Sequence, residues 1–151
     1  MGAATTGAES IRIAAPPQHV YDLIADVTRM GEWSPECRRC EWLDGATGPT
    51  VGSRFEGHNR VGPYKWSTTA TVVVAEPGRD FAFTTFVRGR ESTRWRYTFE
   101  PAGSETVVTE SYEFIWAPAY VRFSELFINR DKQLHTGMRK TLERVKAVAE
   151  A

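Results

Sequence analysis

The sequence predicts an α+β domain in which a curved antiparallel sheet of about seven strands wraps around a long C-terminal helix, with two short helices after the first strand. Three observations lead there. From residue 37 to residue 116 the chain reads as strand after strand, separated by short turn-like segments such as "EPGR", "GRE" and "PAGSE". Short separators make hairpins, and hairpins make an antiparallel sheet. Past Pro118 the apolar period lengthens from two to three and four, placing Leu134, Met138, Leu142 and Val145 on one stripe. No linker, repeat or low-complexity tract divides the 151 residues, the size of one ordinary domain.

The elements follow in order. The small-residue leader, residues 1–8, reads as a flexible tail, and residues 9–151 as a single domain. "ESIRIA", residues 9–14, alternates with Ile11 and Ile13 on one face, so it reads as a strand. Pro16 and Pro17 suit a helix entrance, and Val20, Leu23, Ile24 and Val27 then fall at helical spacing. "TRMGEWSPE" reads as a short turn of helix broken at Pro35. Strands are expected at 37–43, 52–60, 64–75, 80–88, 92–100 and 105–116. The clearest alternation is "TRWRYTFE", with Trp95, Tyr97 and Phe99 on one face and Arg94, Arg96, Thr98 and Glu100 on the other. Phe123, Leu126 and Phe127 form an early turn of the last helix or a separate short one. Gly137 sits inside that helix, where it costs ~1 kcal/mol relative to Ala and permits close approach to a sheet or ligand.

Lys plus Arg and Asp plus Glu each number 19, and this zero balance argues against a general nucleic-acid binder, which carries a basic surplus or stripe. No apolar run reaches the roughly 20 residues of a membrane span. The N-terminal segment lacks the charged start and apolar middle of a signal peptide. A cytoplasmic protein without stable membrane insertion, monomeric or homodimeric, is the expectation. There is no Walker-type loop, G-x-S-x-G or G-x-G-x-x-G, and no cofactor is expected. His19, His58 and His135 lack H-x-H or H-x-x-x-H spacing, so no metal site is expected from them.

Both cysteines lie in "WSPECRRCEW", spaced C-x-x-C. If 37–43 is a regular strand, residues three apart point to opposite faces. Cys37 then joins Arg39 and Glu41 on the wet side and Cys40 joins Trp42 on the dry side. On that reading they neither chelate one metal together nor bond easily to each other.

Period-two parity assigns the inward positions. They are Phe55, Gly57 and Asn59; Trp66, Thr68, Ala70 and Val72; Phe81, Phe83 and Thr85; Trp95, Tyr97 and Phe99; and Val108, Glu110, Tyr112 and Phe114. This face is rich in aromatic residues and mixes Asn59, Thr68, Thr85, Tyr97, Glu110 and Tyr112 into an otherwise apolar set. Such a mixture describes a small-molecule pocket, or a packed core whose hydroxyls find local partners. Glu110 falls on the dry face between Val108 and Tyr112. A carboxyl buried there has a raised pKa and suits general acid–base work. Alternatively a β-bulge turns it outward, or an arginine such as Arg54 pairs with it.

The order of elements resembles the helix-grip fold of the START-like (SRPBCC) superfamily, and within it the polyketide cyclase/dehydrase-like branch of actinobacteria. The segments that carry the resemblance are "APPQHVYDLIADVTRMGEWSPEC", "EWLDG", "GSRFEGHNR", "AEPGRDFAF", "TRWRYTFEP", "TVVTESYEF" and "GMRKTLERVK". The resemblance implies a deep cavity between sheet and long helix that holds an apolar or aromatic small molecule, lipid-like or polyketide-like. The candidate ligand contacts are Phe55, Asn59, Trp66, Thr68, Phe83, Thr85, Trp95, Tyr97, Phe99 and Tyr112 from the sheet, with Leu134 and Met138 from the helix. The alternative is a polyketide cyclase, aromatase or dehydratase that uses the same cavity, with Glu110 as acid/base and Tyr97 steadying an enolate. "VGPYKW" and "FIWAPAYVRF" are aromatic segments beside loops and are candidates to gate the pocket.

Overall fold

The strands form one seven-stranded antiparallel sheet in the order β1-β7-β6-β5-β4-β3-β2. They are β1 (Thr6–Ile13), β2 (Cys37–Trp42), β3 (Arg54–Val61), β4 (Tyr64–Glu76), β5 (Asp80–Val87), β6 (Arg90–Ala102) and β7 (Glu105–Phe114). The computed structural model describes residues 6–116 and 125–151, with side chains of the second segment from residue 130. Phe123 and the side chains of Leu126 and Phe127 lie outside the described residues, as does most of "FIWAPAYVRF".

From β3 to β7 each strand pairs with the next in sequence, as the short turns require. Gly62, Gly78, Gly89 and Gly103 each take a positive φ at the four hairpin turns, a conformation costly for residues with a Cβ. Strand β1 returns to pair with β7, with Ile11 opposite Val108. It starts three residues earlier than alternation alone suggested, so Thr6, Gly7 and Ala8 belong to the sheet rather than to a tail. Their pairing with Glu113, Tyr112 and Ser111 supplies the backbone partners.

Between β1 and β2 lie α1 (Pro17–Ala25), a 3-10 turn at Val27–Arg29 and a one-turn α2 (Met30–Trp33). Pro17 opens α1, and Asp26 ends it while accepting a hydrogen bond from the Thr28 amide at 3.2 Å. The long helix α3 runs Glu125–Ala149 and packs mainly on β1. Its stripe of Leu134, Met138, Leu142 and Val145 is buried as the spacing predicted. Among the described residues no helix is long and apolar enough to cross a membrane.

The dry face is divided. At one end Ile13, Val20, Ile24, Phe81, Phe99, Val108, Leu142 and Val145 pack solidly. Tyr21 of α1 meets Phe99 edge-on, with ring centroids 5.5 Å apart. Toward the other end Tyr112, Leu134 and Met138 form a smaller cluster.

Candidate functional site

A cavity of about 390 Å³ lies between the sheet and α3, within the size range of small-molecule sites. The meander builds its wall. Alternate residues of β3, β4, β5 and β6 face it because each strand pairs in register with its neighbour: Phe55 lies opposite Ala70, Ala70 opposite Thr85, and Phe83 opposite Trp95. Leu134, Gly137 and Met138 of α3 form the opposing surface.

Eleven of the expected residues line this cavity: Phe55, Asn59, Trp66, Thr68, Phe83, Thr85, Trp95, Tyr97, Glu110, Leu134 and Met138. Two do not. Phe99 belongs to the solid core beneath α1, farther along the same face. Tyr112 is buried in the smaller cluster, and its hydroxyl donates to Asp131 of α3, which draws it away from the opening. Parity gave both the correct face, but not whether a helix or the cavity covers that part of it.

Glu110 is the polar centre of the wall. It is 4% exposed, and its Oε2 accepts a 2.8 Å hydrogen bond from the Tyr97 hydroxyl. Among the described residues its Oε1 has no hydrogen-bond partner. Burial raises its pKa to about 8 against the opposing pull of the Tyr97 bond, so at pH 7 it is mostly a neutral acid. With Oε2 accepting from Tyr97, Oε1 is the oxygen left to carry the proton of the neutral acid. Burial, followed by the neighbouring Glu110 charge, pushes the Tyr97 hydroxyl well above its ordinary pKa, which keeps it a donor. No bulge turns Glu110 outward, since β7 runs in unbroken register with β6. Arg54 is engaged elsewhere, 2.9 Å from Asp44.

The two cysteines do not split between the faces as regular alternation predicts. Cys37 and Cys40 are both buried, both line the cavity, and their sulfurs are 3.2 Å apart. The register of β2 on β3 slips between Cys37 and Arg39, a bulge that sends Arg38 and Arg39 both to solvent. The extra residue returns Cys37 to the dry face beside Cys40. The Cys40 side chain holds the Cys37 thiol below its ordinary pKa despite burial, while Cys40 itself is pushed up by Cys37 and by burial.

Other lining residues come from outside the strand alternation. Met30, Ser34, Pro35 and Glu36 arrive from α2 and the segment after it, and Arg130 and Gln133 from α3. Arg130 clasps Glu36, with Nη2 2.7 Å from Oε1, and its guanidinium carbon lies 6.0 Å from the centre of the Trp66 ring. Trp66 is 37% exposed, so this group stands where the cavity meets solvent. An arginine placed 94 residues from its acidic partner has no signal in local spacing.

The histidines stay apart from the cavity wall. His135 bonds Glu9 at 2.6 Å across α3 and β1. His58 lies on the outer face with Glu41 and Glu56, whose ligand atoms fall within 4.8 Å of one another.

A family model described as polyketide cyclase / dehydrase and lipid transport matches residues 4–150. The chain is 39% identical to the Polyketide_cyc-like protein Cgl2372 from Corynebacterium glutamicum, covering 99% of this chain and 88% of that one, with a TM-score of 0.56. The fold is also similar to that of the Zhui aromatase/cyclase from Streptomyces sp. R1128, at 15% identity and a TM-score of 0.75, covering 96% of this chain and 93% of that one. Protein CV1439 from Chromobacterium violaceum is 17% identical with a TM-score of 0.75, covering 98% of this chain and 99% of that one. No curated protein matches the chain.

Proposed function

The chain belongs to the polyketide cyclase / dehydrase and lipid transport family, and from that premise we propose that its cavity binds an apolar or aromatic small molecule bearing a carbonyl or similar acceptor. The observation that carries this reading is the uncommitted Oε1 of a buried, mostly neutral Glu110 in an otherwise largely apolar wall. A buried polar atom without a partner is costly, and a ligand oxygen placed against it removes that cost. Phe55, Phe83 and Trp95 supply the apolar contact area, and Asn59, Thr68 and Thr85 add placed hydroxyl and amide groups. The cytoplasm suits a protein that carries two free thiols.

A second reading is favoured by the Tyr97–Glu110 pair. An acid whose pKa lies near neutrality can both give and take a proton at working pH. Bound against a poly-ketone chain, Glu110 would protonate or deprotonate a carbon alpha to a carbonyl. The Tyr97 hydroxyl would keep the carboxyl oriented and steady the developing enolate. Holding the chain in a reactive shape supplies much of the rate in such chemistry.

Glu110→Gln tests both, because it keeps the shape and removes the titrating proton. The carrier reading expects altered affinity for a carbonyl-bearing aromatic probe, followed through Trp66 and Trp95 fluorescence, with no turnover in the parent protein. The enzyme reading expects turnover to fall by ~10²-fold or more with affinity nearly unchanged. Unchanged affinity and unchanged turnover together overturn both.

A further inference from the structure

The cavity wall holds three sulfur atoms that neither reading uses. Cys37 Sγ and Cys40 Sγ are 3.2 Å apart, and Cys40 Sγ is 3.7 Å from Met30 Sδ. All three residues line the cavity. We propose that Cys37, Cys40 and Met30 form a binding site for a soft monovalent cation, copper(I), reached through the cavity.

The donor set selects the ion. Two thiolates and a thioether are soft ligands and favour copper(I) over harder cations. Zinc in a structural site takes four thiolate or imidazole ligands. Here two thiolates are within reach, while His58 lies on the opposite face of β3. Copper(I) is satisfied by two or three sulfurs, the number present.

The geometry accommodates the ion with little movement. Metal–sulfur bonds of roughly 2.3 Å at a trigonal angle hold two sulfurs about 4.0 Å apart, so the pair, now 3.2 Å apart, opens by about 0.8 Å, within reach of side-chain rotations. Gly57 faces both thiols. A Cβ added there would stand 3.4 Å from Cys40 Sγ and 3.6 Å from Cys37 Sγ, so its absence leaves space over the pair. Each cysteine is 5% exposed, which limits access of water and oxidants. Binding is proton exchange, not redox: one copper(I) enters, two S–H bonds break, three Cu–S bonds form (two to thiolates and one to the Met30 thioether) and two protons leave. Apparent affinity therefore rises with pH.

The test is anaerobic titration of the reduced full chain with copper(I) against a chromogenic copper(I) chelator. The expected result is one copper per chain and, by native mass spectrometry at a fixed charge state, a mass gain of one copper less one proton. Cys37→Ser or Cys40→Ser should weaken binding by about 100-fold or more, and Met30→Leu, which keeps both thiols, by about tenfold. X-ray absorption on the unaltered protein needs no variant to fold and should show sulfur ligands alone. Nitrogen or oxygen ligands, full transfer of copper to the chelator, or equal binding by the double serine variant would each overturn the site. So would a reduced chain that takes no copper and re-forms a Cys37–Cys40 disulfide in air. None of these measurements involves the organic ligand, so they fail or succeed independently of the proposed function.

Discussion

Glu110 holds a proton in the folded chain that it does not hold unfolded, over the window between its ordinary carboxyl pKa of 4.5 and its raised value of about 8. Below that window both states are protonated and Glu110 adds no pH dependence. As pH rises through it, the unfolded chain releases the proton first, so stability falls, and above about pH 8 the full penalty is present. A shift of this size corresponds to at most roughly 5 kcal/mol. Glu110→Gln is therefore expected to flatten the fall between pH 5 and pH 9 and to leave the variant more stable than its parent at the alkaline end. Urea midpoints at three pH values check this, and a parent whose stability does not decline across the window contradicts it. Tyr97→Phe acts in the opposite sense on the same group. It deletes the bond that favours the carboxylate, so the Glu110 pKa rises further, which a carboxyl-labelled NMR titration reads directly.

The elements make separate tests through two glycines. Gly31 lies in α2 where it meets β2, and a Cβ built there falls 2.3 Å from the Arg38 carbonyl oxygen. Backbone cannot step aside as a side chain can, so Gly31→Ala is expected to cost about 1–3 kcal/mol. Gly137 is the contrasting case. Among the described residues its added Cβ would meet only Pro35 Cγ, at 3.5 Å, an ordinary contact. Gly137→Ala should then return most of the helix propensity that glycine forfeits, stabilising α3 by up to ~1 kcal/mol. The same methyl group intrudes on the cavity, so affinity for the largest probes should fall while stability rises. Thermal denaturation of the two variants must move in opposite directions.

At the scale of the whole molecule, the cavity is lined by Phe55, Phe83 and Tyr97 of the main core and by Leu134 and Met138 of the smaller cluster. A ligand seated between them joins the two and excludes water from Glu110. At a ligand concentration 100 times its dissociation constant the chain should gain about 2.7 kcal/mol, seen as a concentration-dependent rise in melting temperature. The Arg130–Glu36 pair spans the opening, tying α3 to the segment before β2. Glu36→Gln weakens that tie at the rim and leaves Phe83, Tyr97 and Glu110 of the wall in place. Ligand release is expected to quicken severalfold, with association little changed, in stopped-flow experiments following Trp66.

Alternation and turn residues were enough to place the strands, because a period-two pattern and a positive-φ glycine are local properties of the chain. The long stripe from Leu134 to Val145 announced α3 in the same way, and Glu110 was visible as a carboxyl on a dry face. C-R-R-C also carried a signal that strict alternation obscured: a regular strand would have buried Arg38 beside Cys40. One bulge costs less than an unpaired buried guanidinium, so both arginines go to solvent and both thiols go inside. The approach of Met30 to the thiols, the Arg130–Glu36 clasp and the withdrawal of Phe99 and Tyr112 from the cavity were decided only by tertiary structure. Each depends on which distant segment covers a given stretch of sheet. Periodicity along a strand determines the face a side chain takes, whereas what it meets there is set by packing between segments far apart in the chain.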